Sequence, residues 1–257
     1  MQDGNLADIA DISPFRCYVW LRASKNFKAK NAKCRFFNPI TKNMPDSWNS
    51  PEHKVLKGKY VTLRPLVPER DMPVLHAISH GNPEAESIWN YLPYGPFASA
   101  GEMLAYYSEN LSGLTDPLVW TAFLNDGDRL IGTTSFLNIV SAHGRAEIGH
   151  VWFTPSVHRT KANTESQYLL LKYLFDGLHY RRSEWKCDSL NHASRTAAAR
   201  MGFVFEGRFR QHMMIRGKNR DTDWFAMTDK EWPRCRVNFE RWLYSGERVS
   251  LMTLNNG

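Results

Sequence analysis

The chain has 257 residues, of which 42% are hydrophobic and 23% are charged, and its formal net charge is +7. These proportions are typical of a globular protein, and no apolar run reaches the ~18 residues that a membrane-spanning helix needs. The N-terminus lacks a charged segment followed by an apolar one, so it does not read as a secretory signal. A cytoplasmic location and no membrane partner are therefore expected.

Residues 1–56 read as a basic N-terminal extension. The first fifty residues hold eight Lys or Arg against four Asp or Glu, and no acidic residue occurs between Ile12 and Pro45. This composition predicts a poorly ordered segment. The remaining 207 residues share a net charge of only +3. Because no basic stripe is interleaved with stacking aromatics, a nucleic-acid partner is not expected.

The four cysteines are scattered along the chain, at Cys17, Cys34, Cys187 and Cys235. None forms a C-x-x-C pair, and no histidine stands at a zinc-ligand spacing from any of them. We therefore expect four free thiols, without a disulfide framework or a metal site.

Regular hydrophobic patterns begin at Tyr60, where alternation predicts a strand. Pro68–Ser79 has a proline at an early position and one apolar face, which predicts a helix. Ser99 and Glu102 have the capping-box spacing, so a second helix is expected over Ser99–Leu111. Three strands with hairpin-type turns between them are predicted next, over Val119–Leu124, Arg129–Asn138 and Ala146–Phe153.

The second half of the chain continues with a strongly amphipathic helix over Thr164–Leu178. The remaining predicted elements are a strand at Glu184–Cys187, a helix at Ala193–Met201, strands at Phe203–Ile215 and Asp223–Thr228, and a helix at Pro233–Tyr244. Some strands are joined through helices and others through hairpins. This order predicts an α/β (α+β) fold with a mixed, mostly antiparallel central sheet flanked by helices.

Several motifs, in this order, resemble those of the GNAT acyltransferases, and in particular of the RimJ/RimL branch. They are Glu147–Phe153 followed by Thr154-Pro155, Asn191 and Ser194 ahead of Arg200–Phe203, and Asp221 and Asp223 leading into Trp224-Phe225. The resemblance covers a domain over residues 57–232, which leaves 233–257 as a C-terminal helix and tail. It implies the GNAT acyl-CoA N-acyltransferase fold, and transfer of an acetyl group from acetyl-CoA to an amine by direct attack, without a metal.

The resemblance also implies where acetyl-CoA is held. A helix N-terminus presents free N–H groups to an anion, so the segment entering the Thr164 helix is the candidate pyrophosphate cradle. Its residues are Arg159, Thr160, Lys161, Ala162, Asn163 and Thr164. Two glycines that are usual in the family's loop are absent here. Backbone N–H groups at Trp152 and Phe153, and the side chain of Asn191, match groups that bind the thioester carbonyl and the pantetheine.

Three side chains are candidates for the chemistry. Ser194 matches the RimJ/RimL-type serine that stabilises or protonates the leaving thiolate, whereas the tyrosine that many relatives use is replaced by Ala198. There are two candidate bases, the carboxylate of Glu147, which would act through water, and the imidazole of His212. Met213 stands where RimL acetyltransferases carry a glutamate. Strand alternation predicts that only one of residues 212 and 213 points into the cleft.

An aromatic cluster lies in a Pro- and Gly-rich loop where no core face is expected. Its members, Trp89, Tyr91, Tyr94 and Phe97, are the candidate acceptor pocket. The acceptor is expected to be a small-molecule amine or a protein N-terminus, and a homodimer is left open. Other aromatic side chains are predicted to be structural, namely His150, Trp120, Trp185, Trp224 and Trp232.

Two other functions stay open at this point. The missing loop glycines and the absent carboxylate at Met213 are compatible with a catalytically degenerate acyl-CoA-binding or regulatory module. The basic residues 1–50 are compatible with a protein that associates with RNA or the ribosome.

Overall fold

The computed structural model describes residues 47–246 and 248–256. Predictions for residues 1–46, including those for Cys17 and Cys34, lie outside the described residues. Residues 47–56, which the sequence assigned to the extension, pack on the domain. The indole nitrogen of Trp48 donates to the carbonyl of His179 at 2.7 Å, and its ring covers the main core. The packed domain therefore begins before the predicted boundary at Lys57, because the indole ring covers apolar surface there.

The described residues form eight strands and seven α-helices. In chain order they are β1 (Leu56–Lys57), β2 (Val61–Pro65), α1 (Pro68–Ser79), α2 (Pro83–Glu86), α3 (Ala100–Asn110), β3 (Leu118–Leu124), β4 (Arg129–Val140), β5 (Arg145–Phe153), α4 (Lys161–Lys172), β6 (Arg182–Asp188), α5 (His192–Met201), β7 (Val204–Ile215), β8 (Lys218–Thr228), α6 (Trp232–Tyr244) and α7 (Leu251–Asn256). A π-helical turn over Tyr173–Gly177 extends α4.

All eight strands form one sheet in the order β1-β2-β3-β4-β5-β6-β8-β7. Only the pair β5–β6 is parallel, because a helix connects these two strands whereas hairpins can join antiparallel neighbours. The predicted mixed, mostly antiparallel sheet is confirmed. The helix α4 begins earlier than predicted, because Thr160 caps it through a hydrogen bond from the Asn163 N–H to its hydroxyl at 3.5 Å.

Each face of the sheet covers its own hydrophobic core. Successive residues of β3 point to opposite faces, so Trp120 packs into the main core beside α4 and α6, while Val119 packs into the smaller core beside α1 and α3. The smaller core also holds Trp152 of β5. Both cores therefore meet at β5, and this strand is held from two sides.

The carboxylate of Glu165, which is fully buried on α4, joins three elements of the fold. It accepts hydrogen bonds from the backbone N–H groups of residues 59–61 at 2.9, 2.7 and 2.9 Å, and from the Tyr244 hydroxyl at 2.7 Å. A Cβ atom at Gly58 would lie 2.4 Å from this carboxylate, so only glycine allows the approach. The turn before β2 and the end of α6 are thereby fixed to α4.

Replacing Glu165 by Gln is expected to lower the free energy of unfolding by about 2–4 kcal/mol, because the new amide group points donors at donors in a buried site. Urea denaturation followed by circular dichroism measures this loss. The exposed Glu109→Gln on α3 is the matched control, with an expected change within about 0.5 kcal/mol. Equal stability of the two variants would contradict the role of Glu165.

The strands β5 and β6 separate part of the way along their length. Their parallel pairing runs from Arg145↔Arg182 to Ile148↔Trp185 and ends there. At the same point the register between β4 and β5 shifts, since β5 uses one residue more than β4 between its paired positions. The extra residue lies beside His150, whose φ of 48° is left-handed. This bulge turns the second half of β5 away from β6 and opens a cleft between the two strands.

Candidate active site

The cleft between β5 and β6 is a cavity of about 690 Å³. Its walls come from the loop after α2, from β4, β5 and β6, from the start of α5, and from the β7–β8 hairpin. The predicted site residues among its lining are Tyr91, Glu147, Asn191, Ser194 and His212. The structure thus brings together residues that are as far as 121 positions apart in the sequence.

The first turn of α5 places Ser194 at the cleft. Asn191 is the helix N-cap, and its side chain accepts a hydrogen bond from the Ser194 backbone N–H at 3.0 Å. The Ser194 hydroxyl accepts one from the Trp185 indole N–H at 2.9 Å. Because an indole nitrogen can only donate, the hydroxyl of Ser194 keeps its proton for another acceptor, and the Cys187 sulfur is one within hydrogen-bonding reach. Ser194 also contacts the thiol of Cys187, whose pKa burial raises to about 11.

Glu147 lies on β5 at the floor of the cleft and is buried. One of its oxygens receives both the ammonium of Lys186 and the side-chain amide of Asn138, each at 2.7 Å. Lys186 also reaches Glu184 at 3.3 Å. The carboxylate is therefore held in an ion pair, and the charge of Glu147 is balanced within the protein.

His212 and Met213 both line the cleft, so the prediction that only one of them faces it is wrong. Between Phe209 and Met213 the strand β7 bulges, and Gln211 has a left-handed φ of 50°. Alternation is lost across such a bulge, which lets consecutive side chains turn to the same side. His212 is fixed by its Nδ1, which lies 3.0 Å from the Thr222 hydroxyl, and this leaves Nε2 as the second ring nitrogen.

The loop before α4, over residues 154–160, contains no glycine. Arg159 adopts a left-handed φ of 61°, the region that glycine usually occupies, and its side chain is exposed. Thr160 caps the helix. Among the described residues, the backbone N–H groups of Lys161 and Ala162 have no protein partner, as expected at the first turn of a helix.

Three predicted cradle residues direct their side chains elsewhere. The Lys161 ammonium donates to the carbonyl of Leu243 at 2.9 Å, at the end of α6. Ala162 packs into the main core, and Thr164 is fully buried. These residues offer backbone groups to a ligand rather than side chains. The Asn163 side chain is partly exposed.

A cation that the sequence analysis did not assign lies near this first turn. The guanidinium of Arg200, on α5, donates to the Thr164 hydroxyl at 3.0 Å, and burial lowers its pKa. Among the described residues no carboxylate pairs with it. Arg200 therefore adds positive charge beside the N-terminus of α4.

The open edge of β5 exposes backbone groups toward β6. The N–H of Thr154 bonds to Ile131 of β4 at 2.8 Å, so backbone alternation directs the N–H groups of Phe153 and Val151 to the opposite edge. By the same alternation the backbone N–H of Trp152 points toward β4. Its indole N–H donates to the Tyr107 hydroxyl at 2.9 Å. Of the two predicted backbone donors, only Phe153 has its N–H on the edge away from β4, and neither residue is among those that line the cavity.

The aromatic loop is mostly core, which corrects the predicted acceptor pocket. Trp89 is fully buried, Tyr94 is buried, and Phe97 packs against the same smaller core. Only Tyr91 lines the cleft, and its hydroxyl donates to the carbonyl of Leu190 at 3.1 Å. The loop buries its aromatic rings because α1, α3 and β5 leave an apolar surface that it covers.

Arg216 of the β7–β8 hairpin holds this loop. One guanidinium nitrogen donates to the carbonyls of Trp89, Leu92 and Tyr94 at 3.3, 2.9 and 2.5 Å. Arg216 itself has a left-handed φ of 50°, which directs its side chain back over the loop. The hairpin and the loop therefore form one continuous wall of the cleft.

Substituting Arg216 by Ala is expected to raise amide hydrogen exchange in residues 89–95 about tenfold, because the charged hydrogen bonds that hold the loop are lost. Hydrogen exchange with mass spectrometry measures the protection of this segment. Lys218→Ala, at an exposed position of the same hairpin, is the control and should leave it unchanged. Unaltered exchange in the Arg216 variant would show that packing alone holds the loop.

His150 lies at the bulge of β5 and lines the cleft, a position that the sequence prediction treated as structural. Its Nδ1 is 3.1 Å from the Tyr94 hydroxyl, and burial lowers its pKa to about 4. Burial also raises the pKa of Tyr107, which hydrogen-bonds Tyr94, to about 12. The imidazole and both phenols are therefore neutral at pH 7 and form a hydrogen-bonded group behind the cleft.

The lowered pKa of His150 makes stability depend on pH. An unfolded histidine titrates near 6.5, so the unfolded chain gains a proton at this position before the folded protein does. Stability should be complete above pH 6.5 and should fall as the pH drops toward 4. Urea denaturation is expected to show that the wild type loses about 1–2 kcal/mol more than His150→Gln between pH 7 and pH 5. Equal losses would contradict the assignment.

Two further donors at the cleft were missed, both on β8. The Nε of Arg220 and the indole N–H of Trp224 are shut off from solvent and have no hydrogen-bond partner among the described residues. Trp224 is only partly buried and lines the cleft, so its prediction as core is wrong. Residues 220, 222 and 224 all line the cleft, and this two-residue period along β8 was the signal available in the sequence.

A second cavity, of about 820 Å³, opens between α1 and the β3–β4 hairpin. Two of its arginines pair with carboxylates, Arg64 with Asp128 and Arg70 with the buried Asp71. It contains none of the predicted site residues, so its larger volume does not make it the active site.

Over the described ranges, 47–246 and 248–256, no group of three or more His, Cys, Asp or Glu side chains is placed to hold a metal ion. Within the same ranges, no helix combines the length and apolar character needed to cross a membrane.

A sheet that opens between two parallel strands is the arrangement of an acyl-CoA N-acyltransferase. The sequence profile described as "Acetyltransferase (GNAT) domain" matches residues 61–204, more than half of the chain. The chain therefore belongs to the GNAT family and is an N-acetyltransferase of that family. The predicted family and fold class are confirmed. Acetyl-CoA as donor and an amine as acceptor are general properties of its members.

Similar proteins have been characterised by structure and by sequence. A GCN5-related N-acetyltransferase from Brucella melitensis is 35% identical, with a TM-score of 0.78 over 82% of this chain and 98% of that one. A Bacillus subtilis (strain 168) protein named as a ribosomal N-acetyltransferase, YdaF, is 28% identical over 109 residues, which span 42% of this chain and 58% of that protein. RimL, the ribosomal L7/L12 α-N-protein acetyltransferase, solved in complex with coenzyme A, shares the fold at 21% identity, with a TM-score of 0.58 over 68% of this chain and 98% of its own.

Proposed function

We propose that this protein transfers an acetyl group from acetyl-CoA directly to an amine, while both substrates occupy the cleft between β5 and β6. The observation that carries the proposal is the end of the β5–β6 pairing at Ile148↔Trp185, with Ser194 on one side and the unpaired edge of β5 on the other. These groups are a free hydroxyl donor and free backbone N–H groups. They match the needs of a thioester that loses a thiolate.

The residues around the N-terminus of α4 fit the pyrophosphate of a CoA thioester. The free N–H groups of Lys161 and Ala162 point at an anion in that position, and the helix dipole favours negative charge there. Arg159 and Arg200 supply full positive charges nearby. The left-handed Arg159 shows that the loop adopts its turn without glycine, which supports a retained cradle.

The chemistry follows from the positions of three groups. The Phe153 N–H, at the open edge, is placed to donate to the thioester carbonyl oxygen as negative charge develops on it. The Ser194 hydroxyl would donate a hydrogen bond to the sulfur and stabilise the thiolate as the carbon–sulfur bond breaks, while it keeps its proton. The amine nitrogen forms the new bond to the carbonyl carbon and loses one proton, and CoA leaves as the thiolate.

His212 is better suited than Glu147 to receive that proton. One oxygen of Glu147 already accepts from Lys186 and Asn138 at 2.7 Å, and the ion pair with Lys186 balances its charge. His212 lines the cleft, and its Nε2 is the ring nitrogen not engaged with Thr222. A water molecule between the amine and this nitrogen completes the path.

A covalent acyl-cysteine route is disfavoured. Cys187 is the thiol in the cleft, but burial raises its pKa to about 11, so little thiolate is present at neutral pH. Since the thiolate is the nucleophile in such reactions, direct attack by the amine is the simpler route.

The test is Ser194→Ala, which is expected to lower kcat roughly 100-fold, because the donor to the leaving thiolate is lost. Release of free CoA with a panel of amines measures turnover, and calorimetry measures CoA affinity, which should stay within a factor of about three. Ser108→Ala, at an exposed position of α3, is the matched control.

CoA binding without turnover by the wild type on any amine would instead support the catalytically degenerate module. The absence of any CoA binding would contradict both functions. The proposed RNA or ribosome association depends on residues 1–50, of which the structure describes only 47–50.

A further inference from the structure

We infer that the acceptor is a small amino acid-like molecule, and that its carboxylate is bound by Arg220 beside Trp224. This inference rests on the proposed function and names the acceptor class for the same cleft. It starts from the balance of charge and hydrogen bonding among the side chains that line the cavity.

Two of the three carboxylates that line the cleft are already neutralised by the protein. Glu147 pairs with Lys186 at 2.7 Å, and Glu184 receives Arg182 at 2.9 Å and Arg145 at 3.5 Å. The third acid, Asp188, accepts from the backbone N–H of Leu190 at 2.8 Å. An amine-rich acceptor such as a polycation would therefore find only Asp188 without a cationic partner among the described carboxylates of this wall.

Arg220 is the opposite case. Its neighbours on β8 are engaged elsewhere: Asp223 pairs with Arg195 at 2.8 Å and Arg208 at 2.6 Å, and Asp221 accepts from the Gln211 N–H at 2.8 Å. No described carboxylate lies within ion-pair distance of Arg220, and its Nε has no hydrogen-bond partner. A guanidinium in a partly enclosed site is a fixed positive charge that lacks its anion.

Trp224 is a second hydrogen-bond donor that lacks an acceptor. It lies four residues after Arg220 on the same face of β8, and its indole N–H is buried without an acceptor. The ammonium of Lys186 lies 3.8 Å from the centre of its ring and is paired with Glu147 and Glu184. Because the Arg220 Nε and the Trp224 indole nitrogen are shut off from solvent, a ligand oxygen would meet the other guanidinium nitrogens of Arg220, and the unsatisfied buried donors add to the attraction for a negative charge.

A carboxylate is the group that meets these conditions best. It carries a full negative charge and presents two oxygens, which match the paired donors of a guanidinium. Arg220 lies close enough to Cys187 to act on its thiol electrostatically, and Cys187 contacts Ser194. The carboxylate would thus be bound near the reacting centre, as the short spacing between the amine and the carboxylate of an amino acid requires.

The experiment compares free amino acids with their carboxamides as acceptors for the full-length enzyme, by release of free CoA. We expect the wild type to prefer acids over amides by about tenfold or more in kcat/KM, because a charged hydrogen-bonded pair replaces a neutral one. Arg220→Gln should abolish this preference, mainly by raising KM for the acid, while CoA affinity measured by calorimetry stays unchanged. Arg220→Lys should restore part of it, and Arg210→Gln, at an exposed position of β7, is the control.

Three results would overturn the inference while leaving the proposed function intact. They are equal use of acids and amides by the wild type, preference for a polyamine or a tripeptide, and an Arg220→Gln effect on kcat that is the same for acids and amides. The last of these results would indicate that Arg220 acts on the leaving thiol of CoA rather than on the acceptor. Turnover on no amine at all would contradict the proposed function and this inference with it. Thermal unfolding of each variant confirms that it is folded.

Discussion

The site depends on the fact that β5 cannot stay paired with both of its neighbours. Its antiparallel ladder with β4 continues along the strand, whereas its parallel ladder with β6 ends at Ile148. The bulge at His150 rotates the strand at that point. A sheet normally satisfies its backbone groups internally, so an edge that opens in the middle of a sheet leaves donors for a ligand. The cleft, the unpaired edge of β5 and the position of Ser194 all follow from this one separation.

Such an opening needs a rigid frame, and two buried polar groups supply it on opposite faces. On the α4 face, Glu165 ties the turn before β2 and the end of α6 to α4. On the other face, Trp152, Tyr107, Tyr94 and His150 form a buried hydrogen-bonded series. Because these groups are neutral and satisfied, they hold the second half of β5 in place without adding charge to the cleft.

The charges that do line the cleft are arranged unevenly. Lys186 forms ion pairs with both Glu147 and Glu184, so these charges largely cancel on the floor formed by β5 and β6. The β8 wall instead presents donors that the protein does not use. In the function proposed above, the donor substrate is bound through backbone groups and the acceptor through side chains of the β7–β8 hairpin, so the two tasks are physically separate.

The sequence by itself was sufficient for the element order, the mixed sheet and the GNAT family. These depend on local periodicity, on capping and on ordered motifs, which are all encoded over short distances. The sequence also identified Ser194 and the loop around Arg159, since both occupy positions that match the family's motifs. Sequence reasoning was wrong about the aromatic loop, because whether an aromatic ring is core depends on the surface that distant elements leave uncovered.

Only the tertiary structure decided the rest of the site. The bulges at His150 and Gln211 break strand alternation, so no two-residue pattern could show which side chains face the cleft. The engagement of Lys161 by α6, of Glu147 by Lys186, and of the aromatic loop by Arg216 are contacts between segments far apart in the chain. The lack of an ion-pair partner for Arg220 is likewise a property of its surroundings, because the fold decides which carboxylates lie near it.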